Sequence, residues 1–102
     1  MTAYMIVVAT IHDRQRFIDG YGAVAARLVE QFGGRYVVRA PGAQVLEGAT
    51  LPAGASVVIS EWPSRQAALD FWNSPEYAEA RALREGLADV DVLLVDAPPR
   101  PA

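Results

Sequence analysis

The chain contains no cysteine and no lysine, and only one histidine. Without cysteine it has no disulfides, no thiolate metal ligands and no cysteine nucleophile. A lone histidine, His12, falls short of the several N or S ligands that a zinc site wants, so no metal is expected. No apolar run approaches the roughly 20 residues of a membrane helix. The start, Met1-Thr2-Ala3-Tyr4, leads into an apolar stretch with no basic region before it, so it does not read as a secretory signal. The expectation is a cytoplasmic protein without a membrane partner. All nine basic residues are arginine, and the formal net charge is −3. No clustered basic face of the kind that grips phosphates is present, which argues against a nucleic-acid partner. There is no G-x-S-x-G, no phosphate-cradling glycine loop and no paired acidic metal motif, so the sequence asks for no cofactor.

What is present is apolar patterning. The apolar fraction is 52% against 21% charged, slightly rich for a soluble globular chain of 102 residues. A chain of this length buries one core, expected over residues 1–97, with a disordered proline-rich tail at 98–102. Residues 4–11 form a strand-length run that is apolar on both faces: Met5, Val7, Ala9 and Ile11 alternate with Tyr4, Ile6 and Val8. Asp13 can cap a helix whose stripe runs through Phe17, Tyr21, Val24, Leu28 and Phe32. Gly20 and Gly22 sit inside it, each costing roughly 1 kcal/mol against alanine. They mark either close packing or an irregular turn. Gly33-Gly34 stops the helix.

Residues 35–39 form a second strand, with 44–47 as a candidate continuation past Pro41-Gly42. Residues 56–62 form a third. Ser64 caps a helix to about Trp72, with Ala67, Ala68, Phe71 and Trp72 on its inner side. Ser74-Pro75 starts another, with proline where its missing N–H costs nothing. Tyr77, Ala80, Leu83 and Leu87 face inward there, and Arg81, Arg84 and Glu85 read as a solvated face. Residues 90–95 are the last strand. The order βαββαβ predicts a ferredoxin-like α+β fold, a four-stranded antiparallel sheet with helices on one face. The second face, being apolar, needs a cover. The simplest is the same sheet of a second copy, making a homodimeric α/β barrel.

Gly33-Gly34-Arg35-Tyr36, Leu46-Glu47-Gly48, Glu61-Trp62-Pro63-Ser64 and Asn73-Ser74-Pro75-Glu76-Tyr77 resemble, in order and spacing, a bacterial family of dimeric α/β-barrel proteins catalogued as a domain of unknown function. The resemblance spans Tyr4 to about Asp96 and implies the ferredoxin-like dimer. It implies no reaction. The wider superfamily includes cofactor-free monooxygenases, lactone isomerases, haem enzymes and ligand-sensing domains, and fold alone does not choose among them. Haem-degrading members use an asparagine, a tryptophan and a histidine in one pocket. No histidine follows Trp72-Asn73 here, so that site is not carried over.

Six residues are candidates for chemistry. His12, the single histidine, could act as a general base, or it simply closes a strand beside a cap. Glu61 ends the third strand, where a carboxylate at an apolar mouth could act as acid or base, or pair with an arginine such as Arg39. Arg35 and Arg39 lie four apart on one strand, hence on one face with Val37, and could clamp a carboxylate. Tyr4 and Trp72 are candidate ligand-binding walls. The expected function is small-molecule binding in a pocket between sheet and helices. It would be anchored by Arg39 and Glu61, with His12 and Arg35 as further candidates. Two forms follow: a cofactor-free enzyme for proton transfer or oxygenation of a small organic acid or phenol, and a non-catalytic binding or interaction module.

Overall fold

The computed structural model describes residues 1–98. In chain order the elements are β1 (Thr2–Ile11), α1 (Arg14–Phe17), a π-helical turn (Ile18–Gly22), α2 (Ala23–Gln31), β2 (Arg35–Ala40), β3 (Ser56–Trp62), α3 (Arg65–Trp72), α4 (Pro75–Ala82) and β4 (Ala88–Ala97). The tail expected at 98–102 falls, from residue 99 onward, outside the described residues. The strands form one antiparallel sheet in the order β2-β3-β1-β4, which is the ferredoxin-like arrangement.

Local signals act where the sequence puts them. The Asp13 carboxylate accepts from the Arg16 N–H, Ser64 Oγ from the Ala67 N–H, and Ser74 Oγ from the Tyr77 N–H. Each satisfies a backbone donor that the first helical turn leaves orphaned. At the end of α2, the Gly34 N–H reaches the Val29 carbonyl at 2.8 Å and the Gly33 N–H the Glu30 carbonyl at 3.1 Å. This paired closure requires a left-handed residue, and Gly33 supplies it with φ of 91°.

Strand register sorts the side chains. Ala3, Met5 and Ala9 of β1 stand opposite Trp62, Ser60 and Ser56 of β3, and all six are buried on the helix-covered face. Trp62, Phe71, Tyr77, Leu28 and Val29 complete that core. The Trp62 ring lies 5.0 Å from Phe71, and its N–H donates to Ser60 Oγ at 2.9 Å. The opposite face carries Tyr4, Ile6, Val8, Val57, Ile59, Leu93 and Val95. Among the described residues no helix covers it, and Leu93 and Val95 are exposed.

Three expectations need correction. Residues 44–47 form no strand. Instead Ala43 exchanges hydrogen bonds with Gly54 and Ala55 and closes a loop. Leu83, expected to face inward, is 47% exposed. Of the two readings of Gly20 and Gly22 the irregular turn holds, since the π turn interrupts the first helix there. Arg81 and Arg84 do not lie on a solvated face. Arg81 sits over the Trp72 ring at 4.6 Å, and Arg84 lies 5.4 Å from the Tyr21 ring, each a guanidinium on an aromatic surface.

Candidate functional site

Small residues on the helix-covered face of the central strands leave space that the helices do not fill. The space is an apolar cavity of about 100 Å³ bounded by Met5, Val7 and Ala9 of β1, Ser56, Val58 and Ser60 of β3, and Tyr21, Ala25, Phe71, Trp72 and Tyr77 from the helical side. Ile11, Phe17, Gly22, Arg39, Ser56 and Val58 also line a wider recess of about 290 Å³, which is the cavity's mouth. Arg14 stands in that mouth and donates to Ser56 Oγ at 3.0 Å.

The π turn shapes the entrance. It delivers Tyr21 to the cavity wall and Gly22 to both cavity and mouth. The Tyr21 and Tyr77 hydroxyls lie 2.8 Å apart. Burial, then the neighbouring Tyr77 hydroxyl, drives the Tyr21 pKa well above the ordinary tyrosine range. Burial also raises that of Tyr36, another wall residue, against the opposing charge of Arg39. Both phenols therefore stay protonated at neutral pH and present O–H donors.

The second strand decides which arginine reaches this cavity. The register of β2 on β3 shifts between Tyr36 and Val38. A bulge inserts one residue and reverses the alternation beyond it. Arg35 and Arg39 consequently lie on opposite faces, not the same face. Arg39 stands on the cavity side, its guanidinium 4.6 Å from the Tyr36 ring centre. Arg35 stands on the open face opposite Glu61 and donates to Oε1 from Nε at 3.1 Å and from Nη2 at 2.9 Å. The Tyr4 hydroxyl donates to Glu61 Oε2 at 3.1 Å. The arginine paired with Glu61 is thus Arg35 rather than Arg39.

His12 lies elsewhere. Its Nε2 is 3.0 Å from Asp89 Oδ2 at an exposed end of β1. Tyr4 is the register partner of Glu61, so His12, eight residues further along the chain and just past the end of β1, is about 26 Å away at the usual rise per strand residue. The structure brings Arg39 and Trp72 to the cavity. It gathers Tyr4, Arg35 and Glu61 into a separate cluster on the open face, and leaves His12 with neither. Sequence reasoning missed Arg14 and Tyr21 as wall residues. The pair of glycines flanking Tyr21 was the available signal.

The architecture defines the class: an α+β protein with the ferredoxin-like arrangement of sheet and helices. Within that class the chain belongs to the family described as "Domain of unknown function (DUF1330)", which matches residues 2–98. Among solved structures it is similar to a Rhodopseudomonas palustris protein of unknown function, with 21% identity, 98% of this chain and 84% of that one covered, and a TM-score of 0.77. It is also similar to SnoaB, a cofactor-independent oxygenase from Streptomyces nogalater, at 15% identity, 97% and 95% coverage and a TM-score of 0.69. A dimeric ferredoxin-like protein of unknown function from Jannaschia sp. CCS1 is similar at 10% identity, 95% and 100% coverage and a TM-score of 0.73. At these identities the likeness shows the fold. No curated protein matches. Among the described residues, no helix is long and apolar enough to cross a membrane.

Proposed function

We propose that this chain is a homodimeric protein that binds a small phenol or organic acid in the cavity between its sheet and its helices. The observation that carries the reading is the cavity itself, apolar around the ring of a guest and furnished with tyrosine O–H donors and one arginine. This is the usual design of a small-ligand site, a few polar groups in an apolar wall. Dimerisation supplies a cover for the open sheet face, where Leu93 and Val95 are exposed beside Ile6 and Ile59. The dimeric Jannaschia protein of the same fold supports it.

Binding without turnover is the favoured form. A proton-moving group must lie within hydrogen-bond reach of its substrate. His12 and Glu61 do not line the cavity, and the phenols that do are held protonated. Cofactor-free oxygenation in the same cavity is the second reading, favoured by the likeness to the Streptomyces oxygenase.

Calorimetric titration with phenol tests the site. Wild type should bind, and Gly22→Leu should not. The backbone at Gly22 is already helical, and an added Cβ meets only the Phe17 carbonyl at 3.5 Å, so the new side chain blocks the entrance without strain. Equal binding by the variant, or none by wild type, overturns the cavity reading. Oxygen uptake with bound phenol would select the enzymatic form.

A further inference from the structure

The mouth and the inner wall of the cavity differ in their chemistry, and together they specify a guest with two polar ends. At the mouth stand two guanidiniums, Arg14 and Arg39. Ion pairs among the described residues join His12 to Asp89, Arg35 to Glu61 and Arg65 to Asp96, and neither mouth arginine takes part. Arg14 has a neutral hydroxyl as its partner, and Arg39 an aromatic face. The acids nearest Arg14 in sequence are engaged locally, and Glu30 lines a separate recess beside Arg39 without pairing to it. Asp13 caps α1, and Asp19 accepts from Gln15. In a chain of net charge −3, this is a locally cationic entrance with unspent donors facing an apolar interior.

At the inner wall the Tyr21 and Tyr77 hydroxyls bond to each other. One O–H is used in that bond, which leaves the second O–H of the pair for an acceptor. Size then sets the guest. An apolar cavity of about 150 Å³ accepts benzene, and the inner space here is about 100 Å³. A ring therefore sits astride cavity and mouth, with only its far edge at the tyrosines.

We propose that the guest is a single-ring aromatic acid bearing a hydroxyl at the far end of the ring, its carboxylate facing Arg14 and Arg39 and its hydroxyl on the Tyr21–Tyr77 pair. This rests on the cavity reading above and adds the ligand's polarity and direction.

Three probes separate the ends: 4-hydroxybenzoate carries both groups, benzoate lacks the hydroxyl, and 4-hydroxybenzamide lacks the charge. Calorimetry, with Trp72 fluorescence as a second readout, should show 4-hydroxybenzoate binding about tenfold tighter than either, the scale of one charge-assisted or buried hydrogen bond. Arg14→Gln combined with Arg39→Gln should abolish the advantage over the amide and keep that over benzoate. Tyr21→Phe combined with Tyr77→Phe should do the reverse. Arg65→Gln, which removes a surface pair elsewhere, should change neither. Equal affinities for the three probes, or an acid preference that survives the arginine double variant, overturns the two-ended guest while leaving the cavity reading standing. Failure of all three probes to bind overturns both.

Discussion

On the helix-covered face, β1 and β3 present Ala3, Met5, Ala9, Ser56, Ser60 and Trp62, all buried. On the open face the same two strands present Tyr4, Ile6, Val8, Val57, Ile59 and Glu61, all half-buried. The covered face thus includes four small residues, Ala3, Ala9, Ser56 and Ser60, among larger ones such as Val7 and Val58, and the uncovered face carries mostly large apolar ones. Small residues under helices leave a void, and aromatic rings from α3, α4 and the π turn fill it only in part. Large β-branched residues on a bare sheet make a flat apolar surface suited to a second sheet. One pair of strands therefore carries two different features, a cavity on one side and a bare apolar surface on the other.

The sharpest way to break the covered face is Trp62→Ala. The ring is 1% exposed, packs on Phe71 and donates to Ser60. Its loss should cost about 3–5 kcal/mol, read as a shift in urea midpoint. On the open face, Leu93→Asp should act on association instead. Leu93 is 60% exposed in the single chain. The variant should fold normally yet dissociate about a hundredfold more readily by light scattering, because a dimer would bury an unpaired charge. A variant that stays dimeric breaks the comparison.

Gly34→Ala probes how tightly the covered face is packed. A Cβ there would lie 2.8 Å from three carbons of the Trp62 ring, and that buried ring has little room to yield. The expected loss is about 1–3 kcal/mol.

The smallest effect concerns pH. The Tyr21 pKa is raised in the folded state, so the native chain holds that proton more tightly than the unfolded chain. Stability from this source is intact below the unfolded tyrosine pKa of about 10 and falls as pH climbs beyond it. The urea midpoint should drop as pH rises above about 10, and the drop should be shallower in Tyr21→Phe.

Much of the frame was legible in the chain itself. The bounds of β3 and α3 match their expected ranges, as does the start of α4 at Pro75. Caps at Asp13, Ser64 and Ser74 and the stop at Gly33-Gly34 act through partners a few residues away. Such signals are complete within one short segment. The apolar alternation of β1 likewise foretold two apolar sheet faces. The site was less legible. Arg35 and Arg39 share a face on simple alternation, and only the pairing of β2 with β3 reveals the bulge that parts them. Glu61 found Arg35 and Tyr4 through strand register, at the opposite end of β1 from His12. The sequence determined the elements, because their caps and periods are short-range interactions. The tertiary structure decided which arginine faces the cavity and which tyrosines meet there, because those depend on contacts between segments as much as 56 residues apart.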